Sequence, residues 1–179
     1  MPNREAKDPD EAKTLADIEE YGCHILYVLE EGEHPPFSYS VGIEHNFNAP
    51  ELVVVGLKPE LSQSVINQYC RRVCNGEIFR IGQRSSGFIG GFDCQFGSVH
   101  VEHYPEHFGW DIWFYDGLGF RVMQLIYPTT EGSGRGILKR ASGFESGNRF
   151  STRRRHQANS EQPPDECALG ELKLMKALS

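Results

Sequence analysis

A chain of 179 residues is about one domain by the usual size of domains, and it is long enough to bury a single core. Its 25 acidic against 18 basic side chains leave a net charge of −7, which argues against nucleic acid as a partner, because such binding draws its affinity from phosphate neutralisation. No apolar run approaches the roughly 20 residues that span a bilayer and the opening residues hold no apolar leader, so a soluble, cytoplasmic chain without a membrane partner is expected.

Residues 1–9 are expected to be a flexible lead into one domain over 10–131. Asp8-Pro9-Asp10-Glu11 is a helix start: an N-cap, a proline at the first helical position and acidic side chains in the first turn. Leu15 and Ile18 share a face, and Gly22 can close the helix in a left-handed cap. Cys23 to Leu29 is rich in β-branched and aromatic groups and is predicted as a strand. In the second strand, Phe37-Ser38-Tyr39-Ser40-Val41-Gly42-Ile43, bulky groups alternate with Ser, Ser and Gly, so one face is large and the other small. A loop over Glu44–Ala49 leads to a third strand, Leu52–Leu57, and the short connections favour an antiparallel meander.

Lys58-Pro59-Glu60 opens a second helix whose Leu61, Val65, Ile66, Tyr69, Cys70 and Val73 form an apolar stripe. From Ile78 to Gly91 the pattern gives short strands and loops. Cys94–Val101 is predicted as a strand, Pro105–Tyr115 as a short aromatic helix, and Phe120–Tyr127 as a last strand stopped by Pro128. After Gly132 the chain is Ser-, Gly- and Arg-rich without apolar period, so 132–179 is expected to be mostly disordered, with a frayed helix over Leu169–Leu178. The fold class expected is α+β, an antiparallel or mixed sheet packed by about three helices.

Three landmarks in order, Phe37 to Ile43, Pro50 to Leu57 and Val122 to Pro128, together with Asp17-Ile18-Glu19-Glu20-Tyr21-Gly22, make residues 17–132 resemble the bacterial domain-of-unknown-function family DUF4262. The resemblance implies no activity. The family pattern continues into a Trp-Pro-Trp segment that is missing here. Ser133-Gly134-Arg135-Gly136, if encoded TCT GGC CGT GGC, gives Trp-Pro-Trp from the third base of the serine codon. The end of the chain is therefore either a shifted reading frame of the family terminus or an unrelated tail that permits this back-translation, and the codons of the gene decide between them.

The small face of the second strand leaves room for a ligand or for another layer of the protein. Gln124, an amide among Val122, Met123, Leu125 and Ile126, must find partners in a central strand or cost about 1 to 3 kcal/mol, and it either bonds backbone or lines the same cavity. The candidate ligand site is thus Ser38, Ser40, Gln124 and the loop residues Glu44 and His45. His100, Glu102 and His103 form a separate candidate metal set, because imidazoles and carboxylates at short spacing are ligand material. They lack the spacing of a zinc signature, and Pro105 breaks the helix that would bring His103 and His107 together.

Cys70 and Cys74, one helical turn apart, are either soft ligands or buried small hydrophobes. The five cysteines, odd in number and irregularly spaced, are expected as thiols and not as a disulfide framework. Ser85-Ser86-Gly87-Phe88-Ile89-Gly90-Gly91 lacks the Gly-Lys-Ser/Thr ending of a phosphate loop and is expected as a mobile turn.

No Gly-x-Ser-x-Gly elbow or cysteine-protease signature occurs, so no catalytic set is complete. The leading expectation is an accessory module that binds a small ligand or a protein partner through the sheet face and the aromatic segment Phe108, Trp110, Trp113, Phe114 and Tyr115. One alternative is an enzyme using flavin as cofactor, on a loose likeness of strand order to the flavin-reductase split barrel, an analogy of fold that carries no activity by itself. The other is an immunity-type protein of a conflict system.

Overall fold

A computed structural model describes residues 1–32, 34–129 and 137–139. The predicted disorder after 132, apart from 137–139, and the predicted helix at Leu169–Leu178 lie outside the described residues.

The first helix, α1 (Pro9–Tyr21), starts as its sequence dictates. The Asp8 carboxylate accepts the Glu11 N–H at 2.8 Å, and Gly22, at φ 88, ends the helix by donating its N–H to the Ile18 carbonyl. The strands β1 (His24–Val28), β2 (Phe37–Val41) and β3 (Glu51–Val55) form the antiparallel meander. Between the last two lies α2 (Ile43–Phe47), where the end of the second strand at Ile43 and then a loop were expected. After β3 come α3 (Pro59–Cys74), a hairpin of β4 (Arg84–Ile89) and β5 (Phe92–Ser98), and a 3-10 turn at Val101–His103. Then follow α4 (Tyr104–His107), α5 (Gly109–Tyr115), β6 (Val122–Thr129) and β7 (Ile137–Lys139).

The sheet is mixed, in the order β1-β2-β3-β6-β5-β4 with β7 alongside β6. Every pairing is antiparallel except β3 with β6, which run parallel with Glu51 opposite Val122 and Val54 opposite Leu125. The fold class is therefore α+β, with five α-helices among the described residues in place of about three. The aromatic helix splits in two because Phe108, at φ −116 and ψ 48, leaves helical space between α4 and α5. The last strand begins at Val122 and is not stopped by Pro128. Its last residue registered with β5 is Ile126, so the missing N–H of Pro128 interrupts no central ladder, and Pro128 pairs with Leu138 instead.

The alternation of β2 sorts the core into two layers. Phe37, Tyr39 and Val41 join Ile18 of α1, Tyr104, Phe108, Trp110 and Phe114 on one side of the sheet. On the other, the predicted α3 stripe of Val65, Ile66, Tyr69, Cys70 and Val73 packs on Leu52, Val54, Phe96, Met123 and Leu125. All five residues of β2 and of β3 are buried, so both sheet faces are covered, and each fully buried aliphatic side chain contributes about 1.5 to 3 kcal/mol. The room left by the serines is filled by α3: Ser38 Oγ shares a hydrogen bond of 2.7 Å with Ser62 Oγ.

Ser85 to Ile89, expected as a mobile turn, belong to β4. The Gly87 carbonyl accepts Gln68 Nε2 at 2.6 Å and the Ser86 carbonyl accepts Arg72 Nη1 at 3.0 Å, which bind this edge strand to α3. No helix of the described residues is long and apolar enough to cross a membrane.

Candidate functional site

β2 runs into Gly42, whose φ of 104 belongs to the left-handed region that glycine adopts without strain. This residue lets the chain turn at once into α2 while staying against α1. Asn46 of α2 then donates its side-chain N–H groups to the carbonyls of Ile18 at 3.0 Å and Gly22 at 2.9 Å, so the short helix also caps the end of α1. Arg121, just before β6, closes the other side. Its backbone N–H and Nε reach the Glu44 carboxylate at 2.5 and 2.8 Å, and Nη2 reaches the Asn48 carbonyl at 2.9 Å.

Inside this frame lies Glu51, the first residue of β3, with no solvent exposure. Its carboxylate accepts four hydrogen bonds: from Ser40 Oγ at 2.5 Å, Tyr115 Oη at 2.5 Å, and the backbone N–H groups of Gly42 at 2.9 Å and Glu44 at 3.0 Å. The two hydroxyls are themselves oriented, because Ser40 Oγ accepts the Leu52 N–H at 2.9 Å and Tyr115 Oη accepts the His45 N–H at 3.2 Å. Each hydroxyl is thereby left with its proton to give to Glu51. Burial pushes the Glu51 carboxyl up to about 7, against the pull of these four bonds, and raises the Tyr115 phenol far above its ordinary value beside the same carboxylate.

Asp111 of α5 is the second carboxyl of the layer, and it is also fully buried. Neither of its oxygens has a hydrogen-bond partner among the described residues. Burial pushes it well above the carboxylate range, and the charges of Glu51 and Glu44 within electrostatic reach push it further. Aromatic rings fill the same side of the sheet: Phe120 stacks on Tyr104 at 4.7 Å and on Tyr115 at 5.1 Å between centroids, and Phe114 meets Tyr115 edge-on at 4.9 Å. Arg121, the basic side chain bonded to this frame, is engaged by Glu44 and Asn48.

Of the five residues expected as a ligand site, the structure gathers three. Ser40 Oγ and the Glu44 N–H bond Glu51 directly, the His45 N–H reaches it through Tyr115 Oη, and the exposed His45 ring lies 5.8 Å from that of Phe114. Ser38 faces α3. Gln124, 4% exposed, is in register with Val53 and with Gly97, hence on the Tyr39 side of the sheet and across it from Ser38. It therefore lines a different face from the serines.

Of the expected metal set, Glu102 Oε1 lies 3.3 Å from His100 Nδ1 and 3.8 Å from His103 Nε2, with His100 and Glu102 largely in solvent. Among the described residues no group of three or more His, Cys, Asp or Glu is placed to hold a metal ion. Cys23, Cys70 and Cys94 are free and buried, and Cys70 Sγ lies 3.9 Å from the Tyr21 carbonyl.

Sequence reasoning missed Glu51, Asp111 and Arg121 as site residues, and named Tyr115 only as part of the aromatic segment. Two of them carried a signal. Glu51 is the acidic first residue of a strand otherwise wholly apolar, and Asp111 is the one charged residue between Phe108 and Tyr115.

The sequence profile of a family described as a domain of unknown function, DUF4262, matches residues 17–133, a span that holds every residue of this site. No curated protein and no solved structure matches the chain.

Proposed function

Since the chain belongs to the DUF4262 family, a domain of unknown function, we propose from its geometry that it is a small-ligand-binding module, whose ligand docks at Asp111 between α5, α2 and the start of β3. One observation carries the reading: Asp111 is fully buried and neither of its oxygens has a hydrogen-bond partner among the described residues. A buried polar group left unpaired costs about 1 to 3 kcal/mol, and more when charged. Such a group opposes folding, and a ligand that donates hydrogen bonds to it recovers the loss.

The way in is over α5. This seven-residue helix lies between Gly109 and Gly117, the latter at φ 135. The Asn3 side chain holds the Trp113 carbonyl, and the Asn3 N–H bonds the Phe114 carbonyl at 2.7 Å. Releasing those two contacts frees the C-terminal end of the helix to swing, with glycines on both sides to absorb the change.

The test is Asp111→Leu, which replaces the carboxyl by an apolar group of similar length. Urea unfolding of the free protein at pH 7 is expected to show the variant more stable by about 1 to 3 kcal/mol. A small-molecule screen by thermal shift is expected to give compounds that stabilise the native protein and not the variant. A variant less stable than the parent would mean that Asp111 serves the fold, and the reading would be abandoned.

A further inference from the structure

We infer that the ligand of this site is an organic ammonium ion with an apolar body, its charge held by Asp111 beside Glu51 and its body laid against the aromatic rings of α4, α5 and Phe120. The inference rests on the binding reading above and goes further by fixing the chemical class.

The charge balance excludes an anion. Glu44 and His45 come from α2, Glu51 from β3, Tyr104 from α4, and Asp111 and Tyr115 from α5; Arg121 is the cation among them. Its guanidinium and backbone N–H are taken by Glu44 and Asn48. A ligand that arrived with negative charge would enter a layer whose burial already disfavours the charged forms of Glu51 and Asp111, so a further negative charge is costly there.

A bare metal ion does not fit either, because among the described residues no three ligating side chains are placed for one. An ammonium group needs less: one carboxylate to accept, and ring faces that attract positive charge. Asp111 supplies the free acceptor. Tyr104, Phe120 and Tyr115 stack on one another within the core, so the apolar body and the cation meet the edges and outer faces of this stack once α5 swings aside.

Glu51 is not itself the docking group. Its four hydrogen bonds occupy both oxygens, so it contributes field and leaves the contact to Asp111. The two carboxyls therefore have separate tasks, one closing the turn between β2 and α2 and the other taking the ligand.

The experiment uses the full chain and matched probes: benzylammonium, 2-phenylethylammonium and butylammonium, each against the alcohol and the carboxylate of the same skeleton, by calorimetric titration at neutral pH. At least one ammonium is expected to bind ten times or more tightly than its alcohol, with no binding of its carboxylate. Asp111→Asn, which keeps the shape and removes the charge, is expected to lower that affinity at least tenfold while leaving the melting transition cooperative. Alcohols binding as well as ammonium ions, and lost in Asp111→Leu, would overturn the ammonium class while leaving the binding module standing. Binding of carboxylates in preference, or of no probe at all, would also overturn the inference, and the stability of Asp111→Leu then decides separately on the site itself.

Discussion

Replacing Glu51 by Gln tests the account of the buried carboxylate by its pH dependence. In the native protein the carboxyl is held up at about 7, against 4.5 for the ordinary group, with burial as the dominant cause. Between these two values the folded chain holds the proton more firmly than the unfolded chain. Stability therefore falls as pH rises through the window, fully present below 4.5 and lost by the time Glu51 has ionised in the fold. A displacement of that size, at 1.36 kcal/mol per pH unit, is worth on the order of 3 kcal/mol.

Glu51→Gln abolishes the titration. It also places an amide N–H₂ against a hydroxyl arranged to donate, which costs about 1 to 3 kcal/mol at every pH. Urea unfolding of both proteins from pH 4.5 to 8 is expected to show the native advantage shrinking steadily as pH rises, by up to about 3 kcal/mol. Repeating the pair with Asp111→Leu in both proteins removes the coupling between the two carboxyls. A difference that stays flat across the window, or that grows with pH, would refute the claim that burial outweighs the four donors.

Two further substitutions probe the frame around the site. Gly42→Ala puts a methyl group 2.8 and 2.9 Å from carbons of Ile18 on a backbone at φ 104, so a loss of about 1 to 3 kcal/mol is expected in urea unfolding, and a loss under 0.5 kcal/mol would contradict the close approach of α1 to this turn. His107→Phe addresses the opposite sign of titration. Burial, with His103 and His34 adding to it, pushes the His107 imidazole down to about 4, so the native protein is expected to lose stability as pH falls from 6.5 toward 4, whereas the phenylalanine variant keeps the ring against Phe37 and gives a flatter acid limb.

The elements legible in the sequence were those with a strong local signal. The Asp8-Pro9 start of α1, the stripe of α3 apart from the exposed Leu61, and the two-faced β2 as far as Val41 stand as read from spacing and capping, whereas Gly42 and Ile43, read as the end of β2, turn into α2. The second helix was illegible because five residues hold no period, and its start depends on Gly42 leaning against Ile18, a contact between distant parts of the chain. The split of the aromatic helix turns on the backbone angles of one residue, Phe108, which carries no mark of them in its type.

The candidate site was half legible for a similar reason. Ser40 was singled out for its size, yet its role is to orient a proton toward Glu51, an acid that pattern reading assigns to a wet strand end. Asp111 shows in the sequence only as a lone charge among aromatic residues, and its burial is decided by the sheet beneath its helix.

The arrangement of the central strands also bears on how the protein comes off the ribosome. A nascent chain released as far as Ser98 can form a three-strand ribbon, β1 to β3, and a separate hairpin, β4 with β5, but nothing yet joins them. The joining strand, β6, is made after both and enters between the two finished pieces, parallel to one and antiparallel to the other. Until it arrives, two apolar edges stand open, so a premature stop before Val122 yields a sticky half-sheet instead of a smaller working domain, and holding chaperones are most needed during that interval.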